Sequence, residues 1–140
     1  MKMEDFTINA KTGLTEYLVT KNESGLTDAT PHKLIAMLFD GALENIAKAA
    51  GAITSGDLAA KGEAIGKAMT IVENLRTMLD SERGGEISAN LEEIYDYIGR
   101  RLLQASSELD TEMLKEVAGL LRQVKGGWDS IPPELHGAVE

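Results

Sequence analysis

Cysteine is absent from this chain, which excludes a disulfide framework, a thiolate nucleophile and a sulfur-ligated metal. Aromatic residues make up only 4% of the sequence against an apolar fraction of 43%, so aliphatic residues and methionine supply most of the apolar side chains. β-Sheets are usually richer in aromatic and β-branched residues, and this composition therefore favours helices. With 140 residues, the chain is long enough for one domain with its own hydrophobic core.

A basic surface is also lacking, because the formal net charge is −9 at pH 7. That charge argues against nucleic acid and against anionic membrane surfaces as partners. The longest strictly apolar run covers residues 34–39, which is too short to span a bilayer, and the N-terminus lacks the apolar core of a signal peptide. We therefore expect a soluble, cytoplasmic protein without direct membrane insertion.

Four segments carry helical periodicity, and short polar breaks separate them. Thr30 begins the first segment, and Asp57 and Asp110 are suited to cap the second and the fourth. The apolar stripe of the third segment runs from Ile87 to Leu109. The segments cover approximately residues 30–53, 58–79, 87–109 and 110–128. Because short connections force successive helices to run antiparallel, the sequence predicts an all-α, up-down-up-down four-helix bundle.

The bundle is predicted to occupy residues 30–128, between an N-terminal leader at 1–29 and a disordered tail at 129–140. The leader is largely polar and carries no sustained period, with the exception of four residues that could form one short helical turn near 14–19, namely Leu14, Tyr17, Leu18 and Val19. A wholly flexible leader is the alternative interpretation.

Motifs for catalysis and metal binding are missing. A di-iron bundle needs a glutamate three residues before a histidine, and neither His32 nor His136 has one. The sequence contains no phosphate-binding loop, nucleophile elbow or dinucleotide fingerprint. Asp40 interrupts an apolar run, and it is either a functional carboxylate or one that caps a neighbouring helix or pairs with Arg100 or Arg101. We expect no enzymatic activity, no cofactor and no metal site.

The first two helices carry more apolar surface than a single stripe of about 100° requires. This excess predicts an exposed groove that accepts an amphipathic helix of a partner, and methionine suits such a surface because its side chain adapts to varied contacts. The alternative is a first helix that contacts neighbours on all sides, including the leader. The two interpretations are compatible if the leader occupies the groove in the free protein and leaves it when a partner binds. The predicted groove residues are Leu34, Met37, Gly41, Ile71, Leu75 and Met78.

Asn90, Tyr97 and Arg101 share one edge of the third helix. Their polar ends could clamp the backbone or a helix end of a partner. The alternative is a tyrosine at the edge of the core beside arginines whose charged ends reach solvent.

At these positions the chain resembles a known family. Residues 29–35 and 37–43 read ATPHKLI and MLFDGAL, and they closely resemble the first long helix of the FliS family of flagellar export chaperones. Further matches in the same order are GGEI at 84–87, YDY at 95–97, RRL at 100–102 and EVAGLL at 116–121, ahead of Trp128. The resemblance extends over about residues 17–131.

This resemblance implies a cytoplasmic chaperone built as an antiparallel helical bundle, without nucleotide or metal. Its client would be the disordered C-terminal segment of flagellin, protected from premature polymerisation and kept fit for the flagellar export gate. The family pattern also suggests that Tyr17 in the leader is a reversible cover of the groove. A homodimeric helical bundle that buries the same surface is the alternative from another functional class.

Overall fold

The computed structural model describes residues 31–79 and 81–129, and helices dominate both ranges. The elements are α1 (Pro31–Ser55), α2 (Leu58–Thr77), α3 (Ser81–Glu108) and α4 (Thr111–Asp129). The prediction of an all-α four-helix bundle is confirmed. The predicted leader turn, with Tyr17, lies outside the described residues, as does the predicted tail beyond residue 129.

Each helix packs against two neighbours: α1 lies against α2 and α4, and α3 lies against α2 and α4. The connections between helices are two or three residues long, so successive helices run antiparallel around one core. Most core residues are aliphatic, and the structure buries them almost completely. The largest fully buried side chains are Phe39, Leu38, Ile71, Ile98, Leu102, Leu114, Leu121 and Val117.

The turn between α1 and α2 combines a glycine that ends α1 with an aspartate that caps the start of α2. Gly56 has a φ of +78°, a conformation that glycine adopts without steric cost. The backbone N–H of Asp57 donates to the carbonyl of Ala52 at 2.9 Å, and the Asp57 carboxylate accepts the N–H of Ala60 at 3.0 Å. The first bond closes the end of α1 as a Schellman turn, and the second confirms the predicted cap of α2.

The turn between α3 and α4 repeats this backbone arrangement with a different residue at its centre. The N–H of Asp110 donates to the carbonyl of Ala105 at 3.0 Å, and the Asp110 carboxylate accepts the N–H groups of Glu112 and Met113 at 2.9 and 3.2 Å. Leu109 occupies the left-handed position, with a φ of +54°. A leucine there carries a steric cost that glycine avoids.

The start of α3 differs from the prediction. The helix begins at Ser81, before the expected stripe, and Gly85 interrupts it with a φ of 51° and a ψ of −122°. Ile87, expected on the core stripe, is 70% exposed instead. The break at Gly85 lies two residues before Ile87, so Ile87 is in the first turn of the helical segment that follows, at the margin of the core stripe and not covered by it.

Among the described residues, no helix has both the length and the apolar content required to cross a membrane.

Candidate functional site

A pair of aromatic rings joins the beginning of α1 to the end of α4. The rings of His32 and Trp128 stack with centroids 4.7 Å apart and planes 12° from parallel. His32 Nε2 donates to the Trp128 carbonyl at 3.0 Å, and Trp128 Nε1 donates to the His32 carbonyl at 3.0 Å. We call this pair the clasp, and the end of the bundle that contains it the clasp end.

Three predicted groove residues lie half-buried near this end, two in the first turns of α1 and one directly after α2. They are Leu34, Met37 and Met78, and each packs against the core while keeping part of its side chain at the surface. We call these three residues the apolar rim. A half-buried methionine offers a flexible thioether to a partner without leaving a large patch exposed to water.

The other three predicted groove residues are not at the surface. Ile71 is 2% exposed, Leu75 is 3% exposed, and Gly41 is buried. The prediction that these residues face outward is therefore wrong for this structure. Each helix has two neighbours, so a wide apolar arc on α1 or α2 is used by the bundle itself instead of being left over.

A buried amide lies beside Gly41. Asn45 is 5% exposed, and its Nδ2 donates to the Gly41 carbonyl at 2.8 Å. This bond satisfies a polar group that would otherwise destabilise the core. It also fixes a polar side chain next to the predicted groove, which the apolar pattern of α1 did not indicate.

The predicted polar edge of α3 forms a hydrogen-bonded cluster with α4. The Tyr97 hydroxyl donates to Glu116 Oε1 at 2.8 Å, and Arg101 Nε donates to the same oxygen at 3.0 Å. The guanidinium groups of Arg100 and Arg101 each lie 5.9 Å from the centre of the Tyr97 ring, within cation–π range. We call Tyr97, Arg101 and Glu116 the seam cluster.

The hydrogen bonds of the seam cluster shift its ionisation. The bond from Tyr97, followed by that from Arg101, lowers the pKa of the Glu116 carboxyl, because both stabilise the charged form. The same bond raises the pKa of the Tyr97 hydroxyl. Asn90, predicted on the same edge, lies exposed about two helical turns before Tyr97 and outside this cluster.

Asp40 has a partner that the sequence did not indicate. Its carboxylate lies 3.0 Å from Lys125 Nζ on α4, so neither Arg100 nor Arg101 is the ion-pair partner that the structure shows. Arg100 instead pairs with Asp96, and Arg101 pairs with Glu116. Asp40 faces α4 because it lies on the flank of α1 outside the core stripe.

No group of three or more histidine or acidic residues in the described ranges is arranged to hold a metal ion.

A family model and individual relatives in several bacteria place this chain in the same family. The family described as "Flagellar protein FliS" matches residues 15–135. The chain belongs to the FliS family. A Salmonella typhimurium protein named flagellar secretion chaperone FliS is 46% identical over 123 residues, which are 87% of this chain and 91% of that protein.

Relatives of this FliS-family protein also occur in other bacteria. A Pseudomonas aeruginosa protein named flagellar secretion chaperone FliSB is 44% identical over 122 residues, covering 87% of this chain and 97% of that protein. A Vibrio cholerae protein named flagellar secretion chaperone FliS is 39% identical over 123 residues, covering 88% of this chain and 90% of that protein. A chaperone is a class of binding protein and not a class of enzyme.

Two contacts of this FliS-family protein could not be found by reading the sequence. The clasp joins residues separated by 96 positions, and the pair of Lys125 with Asp40 also joins the first helix to the last. Periodicity shows which residues share a face of one helix but not which face of another helix meets it. The only signals were a histidine beside a helix-starting proline and a single tryptophan near the end of the last helix.

Proposed function

We propose that this FliS-family chain is a cytoplasmic flagellar export chaperone that binds the disordered C-terminal segment of flagellin. Binding would prevent premature polymerisation of the client and keep it competent for delivery to the flagellar export gate. The observation that carries the proposal is the family match over residues 15–135, together with relatives named flagellar secretion chaperones that align along most of this chain.

The apolar rim supports the position of the client site. Leu34 and Met37 lie one turn apart on α1, and Met78 follows the end of α2, which packs against α1. All three pack on the core and still reach the surface. A client helix with apolar anchors one turn apart could lie along this rim.

The buried predicted residues have a different part in this proposal. Ile71 and Leu75 belong to the core on which the rim packs, and Gly41, which has no side chain, would admit a client helix only where the contacts that bury it open. A disordered client spends binding free energy on its own ordering, and it therefore needs an extended interface. Tyr17 remains a predicted reversible cover of this surface.

The polar edge would be a secondary client contact. Tyr97 and Arg101 already bond to Glu116 in this structure, whereas Asn90 is exposed. A client backbone at this edge would bind Asn90 directly but would compete with Glu116 for the other two residues. We therefore place the main contribution to affinity at the apolar rim.

The test is isothermal titration calorimetry of the whole chain with a peptide of the flagellin C-terminal segment. The double variant Met37→Asp, Met78→Asp should bind at least about tenfold more weakly, because charged groups would replace apolar contacts at the rim. The milder variant Met37→Gln, Met78→Gln should also bind more weakly and guards against loss of folding in the first. The double variant Leu58→Asp, Leu103→Asp is the matched control, since it also adds two charges, at exposed leucines on another part of the bundle.

Unchanged affinity in a folded double variant would contradict the proposed site. Absence of binding by the parent chain would contradict flagellin as the client. Sedimentation of the parent without client tests the homodimer alternative, which predicts a dimer at low micromolar concentration that the rim substitutions dissociate.

A further inference from the structure

Large apolar side chains are exposed mainly at one end of the bundle, opposite the clasp end. The structure leaves four such side chains more than 40% exposed among the described residues, and three of them are Leu58, Leu103 and Leu109, at 58%, 61% and 45%. The fourth is Ile87, near the other end. We call the end with the α1–α2 and α3–α4 connections the turn end, and its three leucines the turn-end patch.

A contact between α2 and α3 places these leucines near one another. Lys61 Nζ donates to the Ser106 carbonyl at 3.0 Å, which fixes the register of the two antiparallel helices. Leu58 precedes Lys61 by three residues, and Leu103 and Leu109 lie three residues on either side of Ser106. All three leucines are therefore within about one helical turn of this contact.

The charge around the turn-end patch is negative. Asp57, Glu108 and Asp110 lie beside the leucines in sequence, and no salt bridge within residues 31–79 and 81–129 joins these three carboxylates to a cation. Two of them accept backbone N–H groups as helix caps and keep their negative charge. Two cations lie nearby: Lys61, which bonds to the Ser106 carbonyl and keeps its charge, and Lys115, which pairs with Glu112 at 3.1 Å. Carboxylates therefore outnumber ammonium groups here by four to two. A partner that covers the leucines would gain from basic residues at its margins and would be disfavoured by acidic ones.

We propose that the turn-end patch is a docking surface for a basic amphipathic helix of a second protein, distinct from the client. Apolar side chains of that helix contact Leu58, Leu103 and Leu109. Its lysine or arginine residues face the carboxylates that lie beside these leucines. The area is small, so the complex is transient and its affinity falls as salt concentration rises.

The turn-end patch is separate from the proposed client site. The 25 residues of α1 span about 37 Å, with Leu34 and Met37 near its first residue and the turn end after its last. The two surfaces are therefore about the length of α1 apart, and a client helix bound at the apolar rim does not by itself cover the turn end. A partner at the turn end could bind the chaperone whether or not the client is present.

The probe for the test is a synthetic helical peptide of about 18 residues, capped at both ends, with leucines at spacings of three and four and lysines elsewhere. A second peptide keeps the leucines and replaces every lysine with glutamate. Both are titrated into the whole chain by calorimetry at low and at high salt. We expect the lysine peptide to bind at least tenfold more tightly than the glutamate peptide and to weaken at high salt.

Two variants of the chain locate the binding. Leu58→Ser, Leu103→Ser should weaken lysine-peptide binding at least tenfold, and circular dichroism should show an unchanged fold because both side chains are exposed. Met37→Asp, Met78→Asp at the apolar rim should leave that affinity unchanged. The reverse pattern is expected for the flagellin peptide, so failure of this proposal is distinguishable from failure of the proposed function.

Four results would overturn the proposal. Equal binding of the two peptides would remove the charge argument. Loss of lysine-peptide binding in the rim variant alone would place the probe at the client site. A parent dimer that the two serine substitutions dissociate, or an equal loss of flagellin binding in that variant, would assign the leucines to a second copy of the chain or to the client.

Discussion

The two ends of the bundle are held together in different ways. At the turn end, each connection is closed by backbone hydrogen bonds and an aspartate cap among residues no more than five positions apart. At the clasp end, His32 and Trp128 stack and exchange hydrogen bonds across 96 positions of sequence. The two connections at the turn end are therefore specified locally, whereas the clasp forms only when the fold brings the start of α1 to the end of α4.

This difference concerns energy as well as sequence distance. A capping contact contributes about 1 kcal/mol to stability, whereas truncation of a large buried aromatic side chain costs about 3 kcal/mol or more. Trp128 is only 9% exposed. We therefore expect substitutions at the clasp end to have larger effects on unfolding than substitutions at the turns.

The largest effect is expected for Trp128→Ala, which removes the stacked ring and leaves a cavity between α1 and α4. The free energy of unfolding should fall by about 3 kcal/mol. Trp128→Phe retains an aromatic ring but loses the bond to the His32 carbonyl, and it should cost about 1 kcal/mol. Urea unfolding followed by far-ultraviolet circular dichroism measures both, since the substitutions remove the only tryptophan available for fluorescence. If Trp128→Ala were as stable as the parent, the clasp would make no contribution to the free energy of unfolding.

A smaller effect is expected from exchanging the central residues of the two turns. Gly56→Leu places a side chain at a φ of +78° and should lower the free energy of unfolding by about 1 kcal/mol. Leu109→Gly relieves the corresponding strain, but it adds unfolded-chain entropy and removes apolar contact, so its net effect should stay within about 0.5 kcal/mol. The same urea titration compares them. A large loss in Leu109→Gly would mean that the leucine side chain is needed for folding and not mainly for contact with a partner.

The smallest effect on stability is expected at the seam cluster, which lies on an exposed surface and belongs to neither end. Tyr97→Phe removes the main bond that lowers the pKa of Glu116, so that pKa should rise towards its ordinary value. A carboxyl with a lowered pKa stabilises the folded state above its unfolded pKa, and this contribution is lost as pH falls through the folded value. The stability difference between parent and variant should therefore be present at neutral pH and disappear on acidification. Carboxyl titration by NMR measures the pKa, and an unchanged value would contradict the role of Tyr97.

Much of the fold could be predicted from the sequence, for reasons visible at particular residues. Asp57 and Asp110 marked two helix starts correctly, because an aspartate cap acts on N–H groups two or three positions ahead. The start of α3 was predicted less well. The predicted break between residues 79 and 87 contains Gly84 and Gly85, but the pattern did not show that a helical turn from Ser81 precedes them.

The candidate site was predicted only in part. Leu34, Met37 and Met78 lie half-buried as a surface rim, whereas Ile71 and Leu75 are in the core. The helical pattern gave all five residues the same apolar character. Only the arrangement of neighbouring helices separates the residues that reach solvent from those that do not.

By itself, the sequence determined the number of helices, their order, their approximate limits and their antiparallel connection. These features follow from helical periodicity and from caps and turns that act over a few residues. Tertiary structure decided the clasp, the partner of Asp40, the burial of Ile71 and the exposure of the turn-end leucines. Each of these depends on which helix faces meet, and that is a property of the packed bundle, not of any one segment.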